Sequence, residues 1–166
     1  IDERLKTYVN DINSMSSSIA AINTQIARIQ ASGENANDLM DHRDALLNTM
    51  SSIVGINVIQ RPSGMVAVYV GGQPVVDDQD SYILEAKSNP EKDGHIDIYW
   101  NSGEWYDKGI NITERINSGT MQGEIKMRDE VITGYIPDLD DLARALVEES
   151  NTQHVPAQGL APFETP

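Results

Sequence analysis

Hydrophobic positions near the start of the chain follow an unbroken heptad series. The steps between successive apolar residues alternate between three and four, and the intervening positions are mostly polar residues and alanine. This pattern predicts one long helix, from about residue 2 to about residue 31, that packs a narrow apolar seam against other helices. The predicted seam residues are Leu5, Tyr8, Ile12, Met15, Ile19, Ile22, Ile26 and Ile29.

A second helix is predicted after a short connection. Gly33 is suited to end the first helix because glycine adopts the left-handed conformation at little cost. Apolar residues then resume at helical spacing and stop at Gly55. Because so short a connection makes the two helices antiparallel neighbours, residues 1–55 are predicted to form a helical hairpin. The seam residues predicted for the second helix are Leu39, Leu46, Met50 and Ile53.

The apolar period changes to two after Gly55, which predicts an antiparallel β insertion over residues 56–115. Strands are expected at 56–61 and 65–70, joined by a turn at 62–64. The run 71–74 is expected to interrupt the second of these strands, with Val75 and Val76 continuing it. Further strands are expected at 82–86, 96–100 and 110–112, and a second hairpin is expected to include Trp105 and Tyr106.

Helical spacing resumes near Met121 and continues to about His154. Residues 116–155 are therefore predicted to form a C-terminal helix that completes a helical rod, followed by an irregular tail at 156–166. Pro137 lacks a backbone N–H, so a kink or break is expected between Gly134 and Pro137. The seam residues predicted for this helix are Ile125, Ile132, Leu139, Leu142 and Leu146.

The predicted fold class is therefore α+β. We expect an elongated bundle of long antiparallel helices, two of them N-terminal and one C-terminal with a proline kink. The antiparallel β module is inserted between the second and third helices. No residue of this pattern is predicted to be catalytic or to bind a cofactor or a metal.

Two arginines occupy seam positions, and each is followed by an aspartate. Arg43 precedes Asp44, and Arg128 precedes Asp129. A catalytic or anion-binding pair is one interpretation. The favoured interpretation is a structural ion pair in which the arginine stem packs among apolar side chains and the guanidinium bonds a carboxylate.

Composition excludes several classes of partner and chemistry. The net charge is −14, from 26 acidic and 12 basic residues, which argues against nucleic acid and against an anionic membrane surface. The absence of cysteine excludes disulfides, thiolate metal sites and cysteine nucleophiles.

Since the chain opens at Ile1, without Met and already in a helical pattern, we expect it to be the middle of a longer protein.

The candidate chemical motifs are weak. The run 42–44, His-Arg-Asp, matches the start of a kinase catalytic loop, but it lies in a predicted helix and the expected asparagine is displaced to Asn48. Asp77, Asp78 and Asp80 lack the glycine and glutamate of a calcium loop. Trp100 and Trp105 suit cross-strand packing better than a ligand platform. The pattern favours a structural or interaction protein that is not an enzyme.

Three segments resemble the hook-associated protein 1 family of the bacterial flagellum. Residues 26–33 and 36–47 resemble its helical hairpin, and residues 56–76 resemble the strands that follow there. Residues 116–125, 128–131, 139–146 and 151–154 resemble its next helix. The segments occur in the same order and spacing as in that family, whereas residues 77–108 show no correspondence.

The resemblance implies a secreted structural subunit at the hook–filament junction, exported by the flagellar type III apparatus and needed for flagellum assembly and motility. It implies a flagellin-like helical rod that assembles by helical stacking. Its partners would be other copies, the hook protein, the second junction protein and the terminal helices of its own full-length chain. It implies no cofactor.

Two alternatives remain from the residues alone. One is a non-enzymatic extracellular adhesin or glycan-binding module that uses the β insertion and its tryptophans. The other is a hydrolase displayed on the filament, which would need a convergent polar site in residues 77–108.

Overall fold

Helices and antiparallel sheets alternate along this chain, of which the computed structural model describes residues 1–103 and 109–154. The predicted α+β class with antiparallel strands is confirmed. The chain divides into two compact units, residues 1–125 and residues 126–166. In order, the elements are α1 (Asp2–Ala31), α2 (Asn37–Ile53), β1 (Ile56–Gln60), β2 (Val66–Val70), β3 (Gln73–Asp77), β4 (Asp80–Ser81), β5 (Ile83–Ser88), β6 (Ile96–Asn101), β7 (Ile110–Asn111), α3 (Gly119–Lys126), a π-helix (Met127–Ile132) and α4 (Thr133–His154).

The first unit is arranged around α1, whose 30 residues extend for about 45 Å. Its buried positions form two heptad lines that share Leu5, Ile12, Ile19 and Ile26, all of which are buried. The predicted line adds Met15 and Ile22, which are buried, and Tyr8 and Ile29, which are half-buried; the other line adds Val9, Ser16 and Asn23, all buried. The helix therefore buries a broad stripe, as helices of globular domains do, and not only a narrow seam.

The buried stripe of α1 packs against strands as well as against α2. Its residues share one core cluster with strand residues such as Val68, Val75 and Ile98, and with Met50 of α2. The prediction named other helices as the partners of this stripe, and the structure adds the strands to them. The reason is that β-branched side chains on the strands present an apolar surface that a helix stripe covers as well as another helix would. The predicted seam residues Leu39 and Leu46 are half-buried and pack in a second cluster with Ile22 and Ile26 of α1.

The first sheet has the strand order β1-β2-β3-β4, and every neighbouring pair is antiparallel. Gly71 and Gly72 have φ values of 56° and 80° and form the turn between β2 and β3. Two consecutive left-handed residues are typical of a tight hairpin turn. Val75 and Val76 therefore lie on a strand that runs back along β2, and the prediction that they continue β2 is wrong.

The second sheet has the strand order β5-β6-β7. Ile83 pairs with Asn101 and Ser88 pairs with Ile96, so β5 and β6 form a regular antiparallel hairpin. A short 3-10 helix at Pro90–Lys92 lies in the connection. The strand expected around Trp105 and Tyr106 falls outside the described residues.

The segment that follows β7 closes against the end of α2. The backbone N–H of Gly55 donates to the carbonyl of Ser118 at 3.1 Å, and the Thr120 hydroxyl donates to the carbonyl of Ser52 at 2.8 Å. Gly119 has a φ of +85°, and a Cβ added there would lie 2.5 Å from the carbonyl oxygen of Ile53. This contact therefore requires glycine. Predicted seam residue Ile125 is half-buried against the same core, as is Ile53.

The second unit contains the π-helix and α4. Helix α4 continues through Pro137, so the helix does not break between Gly134 and Pro137, and the alternative of a kink there stays a prediction. The irregular backbone lies earlier, in the π-helix, which ends directly before Thr133. The Thr133 carbonyl is the one that the Pro137 ring would crowd in a regular helix. A wider turn just before it gives that carbonyl room to tilt.

Gly119→Ala is expected to lower the free energy of unfolding by about 2–4 kcal/mol, because it adds left-handed strain and a clash with backbone. Gly123→Ala is the matched control in the same helix, where a Cβ meets nothing within 4 Å. It is expected to raise stability by about 0.5–1 kcal/mol, since alanine favours helix. Urea denaturation of both variants measures these changes. Equal tolerance of the two substitutions would show that the Gly119 contact is not tight.

Candidate assembly surface

An apolar stripe lies along the second unit, and we call it the α4 stripe. It begins at Ile132, whose side chain is 46% exposed, and its six other apolar side chains, from Tyr135 to Val147, are between 53% and 63% exposed. Contiguous apolar surface of this kind marks interaction sites. Packing of the predicted seam residues on this helix stays a prediction. The stripe consists of Ile132, Tyr135, Ile136, Leu139, Leu142, Leu146 and Val147.

Arg43 is buried in the first unit, where it fixes a turn. Its guanidinium donates to the carbonyl of Gly64 at 2.7 Å and lies 3.4 Å from the side-chain oxygen of Asn23. Asp44 is exposed, and its carboxylate is 3.8 Å from Arg43 Nε, beyond hydrogen-bond distance. The main contacts of Arg43 are therefore to the β1–β2 turn and to α1, with Asp44 as a distant charge.

Asn23, at the centre of this network, bonds the backbone of two other segments. Its amide nitrogen donates to the carbonyls of Val66 at 2.8 Å and Asp78 at 2.6 Å. Its oxygen accepts from the backbone N–H of Val66 at 3.2 Å. Asn23 is fully buried, so these bonds satisfy groups that water does not reach. One side chain of α1 thus holds the start of β2 and the turn after β3.

Asn13 makes the same kind of contact with the second sheet. Its amide nitrogen donates to the carbonyl of Leu84 at 2.9 Å, and its oxygen accepts from the Leu84 N–H at 2.8 Å. Because β5 is at the edge of its sheet, no described strand pairs with these two backbone groups on that side. The amide completes the ladder in place of a strand. Helix α1 is therefore hydrogen-bonded to both sheets.

Sequence reasoning missed both asparagines. The predicted heptad line through Tyr8 and Met15 contains only apolar residues and tyrosine. Asn23 lies on the neighbouring line with Val9 and Ser16. A useful signal was available, since buried lines on a helix that contain asparagine point to a partner with free backbone groups. A β insertion with edge strands provides such groups.

Asn23→Ala is expected to lower the free energy of unfolding by about 2–3 kcal/mol, because it leaves a buried N–H and two carbonyls unpaired. Asn10→Ala on the exposed side of the same helix is the control and should change stability by less than about 0.5 kcal/mol. Chemical denaturation followed by circular dichroism measures both. If the two variants unfold at the same denaturant concentration, Asn23 does not anchor the sheet.

Arg128 lies in the π-helix and is buried. Its guanidinium bonds the adjacent carboxylate of Asp129 through two nitrogens, with Nε to Oδ1 at 2.5 Å and a terminal nitrogen to Oδ2 at 3.0 Å. Two-point pairing of this kind is geometrically specific. The two predicted arginines therefore differ, because Arg128 directly bonds the following aspartate and Arg43 does not.

A buried carboxylate lies in the second sheet. Asp97 has no exposed surface and accepts hydrogen bonds from the amides of Asn89 at 2.8 Å and Asn111 at 3.0 Å. The ammonium of Lys92 lies 3.4 Å away. Burial by itself would raise the pKa of Asp97, but the two amide hydrogen bonds and the Lys92 charge together hold the pKa below its usual value.

Because its pKa is lowered in the folded state, the contribution of Asp97 to folding stability changes with pH. The ionised carboxylate stabilises the fold above the unfolded pKa of about 4, and this stability is lost as the pH falls through the lower folded pKa. Asp97→Asn is expected to cost about 1–3 kcal/mol at pH 7 and progressively less below about pH 4. Unfolding measured from pH 7 to pH 3 tests this against the exposed control Asp11→Asn. A difference from wild type that is constant with pH would contradict the assignment.

The acidic turn after β3 is paired with an arginine. Arg61 bonds the Asp77 carboxylate at 3.0 Å and lies 3.4 Å from that of Asp78. The hydrogen bond that Arg61 donates to Asp77, with the nearby charge of Asp78, raises the pKa of Arg61.

Across residues 1–103 and 109–154, no group of three histidine or acidic side chains is placed to hold a metal ion. No helix in that part of the chain is long and apolar enough to cross a membrane.

Trp100 joins the two sheets. Its indole N–H donates to the carbonyl of Pro74 at 2.5 Å, and its ring lies 5.5 Å from the ring of Tyr82, tilted by 41°. The side chain is thus used within the fold, and the adhesin alternative finds no support there. Trp105 lies outside the described residues.

These features define an α+β domain in which one long helix is bonded to two antiparallel sheets, together with a helical unit that exposes an apolar stripe. The family model described as "Flagellar hook-associated protein FlgK helical domain" matches residues 1–161. The chain therefore belongs to this family.

Relatives agree with that assignment. Flagellar hook-associated protein 1 of Escherichia coli K12 is 29% identical over 150 residues, which cover 88% of this chain and 27% of that protein. The same-named protein of Bacillus subtilis is 42% identical over 60 residues, which cover 36% of this chain and 12% of the relative. The structure of the flagellar hook junction protein FlgK from Burkholderia pseudomallei matches with a TM-score of 0.67 and 30% identity, over 76% of this chain and 23% of that chain.

The chain is much shorter than these proteins. It spans 27% of the length of the Escherichia coli and Salmonella typhimurium relatives. Its match to them covers most of its own length, so it corresponds to one region of a larger protein of this family.

Proposed function

We propose that this chain is a region of a structural subunit at the junction between the hook and the filament of a bacterial flagellum. The observation that supports this most strongly is the family match over residues 1–161. The solved relative from Burkholderia pseudomallei is named a flagellar hook junction protein. The proposed role is mechanical, and it involves no catalysis and no cofactor.

The proposed mechanism is stacking of subunits through contacts between unlike surfaces. Such heterologous contacts do not close on themselves, so they extend along a helical array. Helix α1 would give stiffness to each subunit, because both sheets are bonded to it. Other copies, the hook protein and a second junction protein are the proposed partners. The subunit would act outside the cell after export by the flagellar type III apparatus.

We further propose that the α4 stripe packs against the terminal helices of the full-length chain. The stripe has the three-and-four spacing of a helix seam, and its leucines are more than half exposed. The relatives contain far more chain than is present here. Helical segments in that additional length would cover the stripe and complete the rod.

The negative charge suits a protein that is exported before it assembles. A net charge of −14 makes free subunits repel one another in solution. Assembly then depends on specific apolar contacts, which do not weaken with salt as surface ion pairs do.

Leu139→Glu combined with Leu146→Glu, introduced into the full-length protein, is expected to abolish filament growth while the subunit is still exported. Two charges on the stripe would have to be buried, at a cost of several kcal/mol each. Swimming and electron microscopy of flagella measure assembly, and immunoblots of the culture medium measure export.

The matched control is Ala145→Glu combined with Thr152→Glu, which adds the same charge to exposed positions off the stripe. It should leave motility unchanged. Normal motility of the stripe variant would contradict the packing of the stripe. Normal flagella in a strain that lacks the protein would contradict the junction role itself.

A further inference from the structure

An open cleft lies on the first unit where α2 meets the first sheet. It has a volume of about 640 Å³. One side is lined by Arg115, Asn117 and Ser118, and another by the turn at Gly71 and Gly72. Its floor is formed by side chains of β1 and β2, including Asn57, Ile59 and Tyr69. Polar and apolar groups thus line it together.

The walls of the cleft approach each other closely at two glycines. A Cβ on Gly71 would lie 3.2 Å from the Cβ of Ile112 and 3.3 Å from the Cβ of Arg115. A Cβ on Gly55 would lie 2.2 Å from the Ser118 hydroxyl. These glycines allow the segment with Arg115 to approach the sheet, so the cleft is a fixed feature of the fold.

Among the described residues that line this cleft, Arg115 is the only charged one. It is exposed, and within the described part of the chain its guanidinium has no hydrogen-bond or ion-pair partner. The chain has 26 acidic and 12 basic residues, yet no acidic side chain of residues 1–103 and 109–154 lines the cleft. The cleft therefore presents a free positive charge on a strongly negative protein, which suits an acidic ligand.

The same cleft borders an open sheet edge. Strand β1 is at the end of the first sheet, and no other described strand pairs with its outer side. Val58 and Ile59 are 36% and 43% exposed. Strand β1 contains no charged residue and no proline. Charged residues and proline are the usual protections of an edge strand. Unprotected edges of this kind accept an added strand.

We propose that an extended acidic segment of a partner protein docks in this cleft. Its backbone pairs with the outer edge of β1, and one carboxylate bonds the guanidinium of Arg115. Ile59 and Tyr69 contact an apolar side chain next to that carboxylate. This combination requires a peptide, because a small anion would use Arg115 alone and leave the edge and the apolar floor empty.

The probe is a fluorescein-labelled synthetic peptide of alternating threonine and valine with one central glutamate. Fluorescence anisotropy with the whole chain is expected to show saturable binding. A peptide with glutamine in place of the glutamate should bind about tenfold more weakly, since a charge-assisted hydrogen bond is lost. Equal binding of the two peptides would overturn the role of the carboxylate.

Arg115→Gln is expected to weaken binding of the glutamate peptide about tenfold and to remove its advantage over the glutamine peptide. Arg28→Gln is the matched control, because Arg28 is an exposed arginine on α1 away from the cleft. It should leave the affinity unchanged. Equal losses in the two variants would show attraction by overall charge only and would overturn the site.

Backbone pairing is tested on the peptide, so the fold of the protein is unchanged. N-methylation of the alternate residues that face β1 should abolish binding, whereas N-methylation of the other set should not. Tolerance of both sets would overturn edge pairing. No saturable binding, displacement by inorganic phosphate at equal concentration, or self-association of the chain blocked by Arg115→Gln would each overturn the proposal.

Discussion

The hydrogen bonds from Asn13 and Asn23 to strand backbone are the contacts on which the first unit depends. Each amide bonds both the N–H and the carbonyl of one strand residue, Leu84 in the second sheet and Val66 in the first. Apolar packing alone would let a helix slide along a sheet, because it has little directionality. The two amides fix the register of α1 on both sheets. The glycine contacts of the segment after β7 then close the unit at the end of α2.

This arrangement explains how a chain with separate helical and β segments forms one compact unit over residues 1–125. The apolar residues of α1 are covered by strands and by α2, whereas those of α4 are exposed. The two helices have the same three-and-four spacing but differ in what covers them. In the proposed junction subunit, α1 holds the domain together and α4 is the surface left for helices of the full-length protein.

Periodicity was sufficient to predict α1, α2, most of the strands and the α+β class, because each of these depends on local spacing. It failed where the outcome depends on a distant partner. The roles of Asn13 and Asn23 require knowledge of which strand edges lie beside α1. The reversal at Gly71 and Gly72 was missed because a pair of glycines was interpreted as an interruption, when two left-handed residues make a hairpin turn. Helix α4 continues through Pro137 after a π-helix, and apolar spacing does not predict a π-helix.

Amide hydrogen exchange at Val66 and Leu84, followed by NMR, tests the central claim most directly. If Asn23 and Asn13 hold these residues, both amides exchange only when the whole unit unfolds, and their exchange free energies equal the global free energy of unfolding. Exchange of either amide through local opening, several kcal/mol below the global value, would contradict the claim that α1 and the two sheets form one cooperative unit.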